Sequence, residues 1–190
     1  TTITTYGDGT ASIDILDTHG LSVTTENGGI TVENTTDNNN IIGGIMNLTS
    51  TSGNITANNN TVTGLTTITT AGNITSGNNT YGTLNIISNS TDTEGYIKST
   101  NDTITGADYG TPVVASTVFN ATNGGASVTI DNITTEQGSL AVTTGAGGIE
   151  VKNSTVNLND DGSVSMRLSS TSGGDIIANN NTKRKRKARR

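Results

Sequence analysis

Apolar residues along this chain recur at every second position in short runs, and helical spacing is nowhere sustained. Leu21 and Val23 alternate with polar neighbours, as do Ile30 and Val32. A period of two marks a strand that buries one face. Gly28, Gly72, Gly95 and Gly147 fall between two such strands, where a sharp turn benefits from the missing Cβ.

The strand pairs repeat. Segments starting at Leu21, Ile45, Leu65, Leu84, Leu140 and Met166 share one pattern: apolar-x-apolar, a Thr/Ser pair, a short spacer, Gly-x-Ile, and Asn residues closing on Thr. Adjacent copies start about 19 to 26 residues apart, and the gap from Leu84 to Leu140 leaves room for two or three degenerate coils. A unit this short cannot bury its apolar stripe alone and needs neighbours stacked above and below. The pattern predicts an all-β, right-handed parallel β-solenoid of roughly seven to nine coils over residues 1–182, followed by a basic tail at 183–190. Leu21, Val23, Ile30, Leu65, Ile68, Ile74, Leu140, Val142, Ile149 and Ile176 are expected to point inward and stack in columns. A β-sandwich is the alternative, since short strands with turn signals suit it too. The Asn runs at 38–40, 58–60, 78–79 and 179–181 fit either stacked amide ladders or polar turns that tolerate left-handed backbone.

Composition narrows the function. Only 29% of the chain is hydrophobic, too little for a thick two-layer core. Trp is absent and the rings are four Tyr and one Phe, so platforms for stacking sugars or bases are scarce. Charged residues make up 14% and there is one proline, unlike the charge-rich, Pro-rich signature of disorder. Thr favours strands, while Asn and Gly favour tight turns. No cysteine is present, which excludes disulfides, thiolate metal sites and a cysteine nucleophile. No apolar run approaches the roughly 18 residues of a membrane span. The chain opens on Thr1 rather than Met, as expected of a processed or excised product.

Repeats such as GNITANNNTVTGLTTITTAGNITSGNNT resemble those of filamentous-haemagglutinin-type adhesins, exported β-helical fibres of Gram-negative bacteria. The likeness covers most of residues 11–182, and the KRKRKARR tail is foreign to it. It implies an extracellular or surface location and a fibrous or adhesive role, either a head-to-tail structural subunit on a cell or virion or a passenger fragment that binds a host glycan or protein.

Candidate chemistry is sparse. His19, the single histidine, has Asp17 two residues away and no other obvious partner. Asp160, Asp161 and Arg167 are the nearest approach to the carboxylate sites of polysaccharide-cleaving solenoids. Asn157, Asn159 and Asp161 imitate the front of a calcium loop whose closing glutamate is replaced by Leu168, and Asp8 with Asp14 is similarly incomplete. The expectation is therefore no catalysis and no cofactor. Thr-x-Thr pairs such as Thr2/Thr4 and Thr67/Thr69 could order water on a flat face, although Thr is also simply a good strand residue. Twelve Asn-x-Ser/Thr sequons occur, including those at Asn34, Asn47, Asn54, Asn73, Asn101, Asn120, Asn132 and Asn153, which are candidate glycan acceptors.

Charge is distributed unevenly. Lys183, Arg184, Lys185, Arg186, Lys187, Arg189 and Arg190 give the tail +7, against three cations and sixteen acids elsewhere, net −13. Such a tail fits nucleic acid, anionic membrane or proteolytic processing. The favoured expectation is docking on an acidic flank of a neighbouring copy, near Asp92, Glu94, Asp160 or Asp161.

Overall fold

The computed structural model describes residues 1–14, 17–34, 40–106, 116–136, 138–158 and 166–185. Within them the chain is all-β and every pairing between strands is parallel, so the solenoid expectation holds and the sandwich is excluded. Each turn of the chain lays down three short strands, and the turns stack as tiers of a three-faced rod.

Face 1 is built from β1 (Thr2–Thr5), the later halves of β3 (Asp17–Thr25), β5 (Asn40–Ser50), β7 (Asn60–Thr70) and β9 (Thr80–Ser88), then β12 (Ser116–Ala121), β15 (Ser139–Thr144) and β18 (Met166–Ser170). Face 2 stacks β2 (Ala11–Ile13), β4 (Ile30–Glu33), β6 (Ile55–Asn58), β8 (Ile74–Gly77), β10 (Tyr96–Thr100), β13 (Ser127–Asp131), β16 (Ile149–Lys152) and β19 (Ile176–Asn179). Face 3 takes the early halves of the four long strands, then β11 (Thr103–Ile104), β14 (Thr134–Thr135), β17 (Thr155–Leu158) and β20 (Thr182–Lys185). The eight strands of face 2 define eight tiers, with seven full turns between the first and the last. Leu84 pairs with Thr117 and the equivalent position of the next tier is Leu140, so the long gap holds two turns, of 33 and 23 residues.

The register makes the core a set of columns. On face 1, Val23, Leu48, Ile68, Ile86, Phe119 and Val142 lie one above another and are fully buried. On face 2, Ile30, Ile55, Ile74, Ile97, Val128 and Ile149 do the same. Burying one such side chain is worth about 1.5–3 kcal/mol, and it is realised only when tiers sit on both sides.

Two residues expected inside are not. Leu65 is 42% exposed. It lies three residues from Ile68, and on a strand positions three apart face opposite ways; Thr66 takes the inward position, between Met46 and Leu84. Ile176 keeps its inward register opposite Ile149 but is 46% exposed, because no described tier lies beyond it.

Different devices close the corners. Between faces 1 and 2, Thr25, Ser50, Thr70, Thr144 and Ser170 end the inward column and donate to glycine carbonyls, for example Thr70 Oγ1 to Gly53 at 2.6 Å and Thr144 Oγ1 to Gly147 at 2.6 Å. A Cβ on Gly147 would come within 1.9 Å of the Ala126 carbonyl oxygen, so only glycine lets the tiers approach here.

Candidate functional site

The corner between faces 2 and 3 explains the Asn motif. Asn59, Asn78, Asn101, Asn132, Asn153 and Asn180 all have φ between 53° and 57°, the left-handed conformation that Asn tolerates better than most residues. Several also form a ladder along the rod: Asn101 Nδ2 donates to Asn78 Oδ1 at 3.1 Å, and Asn132 Nδ2 to Asn101 Oδ1 at 2.8 Å. Turn and ladder are therefore not exclusive, since the same side chains serve both; Asn38 and Asn39 of the first run lie outside the described residues. Each of these residues starts an Asn-x-Thr triplet whose Thr lies at the start of a face 3 strand, in the stacked column Thr61, Thr80, Thr103, Thr134, Thr155 and Thr182. Half of the sequons thus coincide with the turn motif of one corner.

The middle residue of the triplet faces inward and builds a second ladder. Asn60 donates through Nδ2 to Asn79 Oδ1 at 2.9 Å, and Asn79 through Nδ2 to Asp102 Oδ1 at 2.9 Å. Asp102 is fully buried where other tiers carry Asn60, Asn79 or Asn181. Lacking the amide, it accepts instead: from the Asn79 backbone N–H at 2.9 Å, from Ser76 Oγ at 2.7 Å and from Ser99 Oγ at 2.5 Å. Since Ser76 gives its proton to Asp102, Tyr81 donates to Ser76, 3.0 Å away. Burial raises the Asp102 carboxyl above the usual carboxylate range, while the four hydrogen bonds from Ser99, Ser76 and Asn79 oppose the rise. Burial likewise pushes the Tyr81 phenol well up, and the Asp102 charge adds to it. Ser76 and Ser99 occupy a face 2 column that holds Val32, Ala57, Ile130 and Val151 in other tiers. The sequence signal was an Asn-Asp-Thr triplet among Asn-Asn-Thr triplets, with serines in the apolar column beside it. This cluster is sealed inside the rod, and it is a packing device.

The other candidate residues are scattered. His19 is exposed on β3, two residues from the exposed Asp17. Asp8 is exposed in a turn, and Asp14 is exposed at the end of β2. Arg167 is exposed on β18 and Asn157 lies on β17, whereas Asn159, Asp160 and Asp161 lie outside the described residues. Among the described residues no three His, Cys, Asp or Glu side chains are grouped for a metal ion. No helix among them is long and apolar enough to cross a membrane. A shallow groove of about 330 Å³ is lined by Gly43, Thr61, Val62, Thr63, Thr80, Thr105 and Gly106, with no ionisable group.

Of the candidate glycan acceptors, Asn34 is buried, while Asn47 and Asn54 are exposed. Asn73 Oδ1 accepts the Tyr96 N–H at 3.0 Å and Asn120 Oδ1 the Thr122 N–H at 3.2 Å. Asn101, Asn132 and Asn153 are exposed, but their Nδ2 atoms, the glycan attachment points, donate to neighbouring tiers.

The expected tail is different in kind. Lys183, Arg184 and Lys185 lie in β20, paired in register with Val156, Asn157 and Leu158 of the same chain, so they cannot trail over the flank of a neighbour. Asp92 and Glu94 sit at the corner before β10, three tiers away, and Arg186, Lys187, Arg189 and Arg190 lie outside the described residues. The geometry directs attention to the two ends of the rod. There β1, β2 and the Asp17–Thr18 start of β3 at one end, and β18, β19 and β20 at the other, each present one edge with no strand partner.

Comparison with known proteins yields no matching family model, no matching curated protein and no matching solved structure.

Proposed function

We propose that this chain is a structural subunit of an extracellular or virion-surface fibre, a β-solenoid rod whose end tiers stack head to tail on further copies. The observation that supports this reading is the exposure of a core column at the last tier: Ile176 is 46% exposed, while its counterparts Ile30, Ile55, Ile74, Ile97, Val128 and Ile149 are at most 2% exposed. An apolar column ending on an open strand edge invites another tier, and a head-to-tail contact of that kind propagates unless it closes a ring. The reading assigns the chain no catalytic step and no cofactor, and it agrees with the likeness to fibrous adhesin repeats. Sedimentation velocity and negative-stain microscopy at low salt test it. Filaments that lengthen with protein concentration are expected, and a chain that stays monomeric at every concentration overturns it.

A second reading, an adhesin segment that binds a host glycan or protein, is favoured by the outer surface of face 1. Thr4, Thr24, Thr49 and Thr69 stack there in one column beside the exposed Ile45 and Leu65, and the first charged outward position among its described strands is Arg167 in the last tier. Saturable binding of the monomer to cells, lost on Leu65→Asp, would support it.

A further inference from the structure

We propose that the head-to-tail contact is keyed by charge, with β20 of one copy adding as a parallel strand beside the Asp17–His19 stretch of β3 in the next. This inference rests on the fibre reading above.

The register fixes the geometry. On face 3 the pairings run from Asp17 through Ile41, Thr61, Thr80, Thr103, Thr134 and Thr155 to Thr182. Continuing the stack by one tier places Thr182 opposite Asp17 of the next copy, Lys183 opposite Thr18 and Arg184 opposite His19. On face 2 the same step places Ile176 opposite Ala11, the first member of its column.

The charges at the two ends are opposite. Residues 1–20 contain Asp8, Asp14 and Asp17 and no Lys or Arg, a side-chain charge of −3. Residues 166–185 contain Arg167, Lys183, Arg184 and Lys185 against Asp175, four cations to one acid, or +3. Between them, residues 21–165 carry twelve acids and two lysines, net −10, so the last tier is the cationic end of an acidic rod.

The charge carried by β20 makes the contact selective. The register column of Lys183 holds Ile42, Val62, Tyr81, Ile104, Thr135 and Val156 in earlier tiers, all buried. Lysine and arginine in an open edge strand work against indiscriminate pairing, a device that natural edge strands use. A second cationic end is repelled outright. At the first tier the matching position is the polar Thr18, preceded by the exposed Asp17 in the outward column of Thr182. Opposed charge thus sets the polarity of the fibre and discourages C-terminal-to-C-terminal pairing.

Charge reversal tests this. One variant carries Asp14→Lys and Asp17→Lys, and another carries Lys183→Glu and Arg184→Glu; circular dichroism and thermal melting verify that each folds. Each alone should raise the critical concentration for filaments by roughly tenfold or more at low salt. An equimolar mixture should recover assembly, because each variant's end now fits only the other's, giving alternating filaments. Wild-type assembly should weaken at 1 M salt, where screening falls to about 3 Å. If both variants polymerise like the wild type, or the mixture fails to recover, the charge key is wrong while head-to-tail stacking stands. A wild-type chain that never polymerises removes both.

Discussion

Asn101 offers a way to separate what the backbone requires from what the side chain contributes at the ladder corner. Its φ of 57° lies in the left-handed region, and its amide makes two ladder bonds, donating to Asn78 Oδ1 at 3.1 Å and accepting from Asn132 Nδ2 at 2.8 Å. Asn101→Gly keeps the backbone conformation and removes both bonds. At the low end of the net value for exposed hydrogen bonds, about 0.5 kcal/mol each, with a glycine entropy cost of about 0.5 kcal/mol, the loss comes to about 1.5 kcal/mol. Asn101→Val removes the same bonds and forces a β-branched residue to positive φ, which adds at least 1–2 kcal/mol of strain. Val escapes the glycine entropy cost, so in thermal melts of a chain this size it should fall below Gly by roughly 1–6 °C, and Gly below the wild type by roughly 3–6 °C. Both variants delete a sequon, so a glycan would not account for the gap. If Val matches Gly, the left-handed turn does not constrain this corner; if Gly matches the wild type, the ladder contributes nothing.

Three further outcomes follow from the core and the corner. Thr66 and Thr117 stand in a face 1 column with Leu21, Met46, Leu84, Leu140 and Met166, and their hydroxyls have no hydrogen-bond partner. Thr66→Val and Thr117→Val should each stabilise by about 1 kcal/mol and add together, since a tier separates them; denaturant melts that show no gain would contradict this. Asp102→Asn should flatten one pH dependence. The folded carboxyl binds its proton more tightly than the unfolded one, so between the unfolded value near 3.9 and the raised folded value the native state holds more protons, and stability falls as pH rises through that window. The stability of the wild type minus that of Asp102→Asn should thus decline upward from about pH 4 and then level off. A difference that is constant or rises with pH would show that burial does not dominate at Asp102.

Much of the architecture was legible because a solenoid writes its period into the chain. Alternating Leu21/Val23 and Ile30/Val32, spaced by glycines, sufficed for parallel stacking, and the Asn runs marked the corner. Leu65 failed because one extra residue at the Val62/Leu65 bulge shifts the parity, and self-alignment of degenerate repeats does not register a single-residue slip. Ile176 failed because inward register and burial part company at an end tier. Lys183 to Lys185 read as a tail because strand propensity is overridden in sight by charge, whereas the pairing with Val156 to Leu158 depends on the preceding Asn-Asn-Thr corner. The Asp102 cluster was visible only in the comparison of equivalent slots across tiers, not in any local motif.

The most direct test of the central claim is the axial repeat of the assembled chain. Eight tiers at about 4.8 Å give a rise of roughly 38 Å per subunit, with the strand spacing continuing unbroken across each junction. Cryo-electron microscopy of filaments grown at low salt should show that rise, with β20 of one copy beside the Asp17–His19 stretch of β3 in the next. Filaments built through the flank of face 1, with a subunit rise unrelated to eight tiers and both end tiers left uncovered, would contradict it.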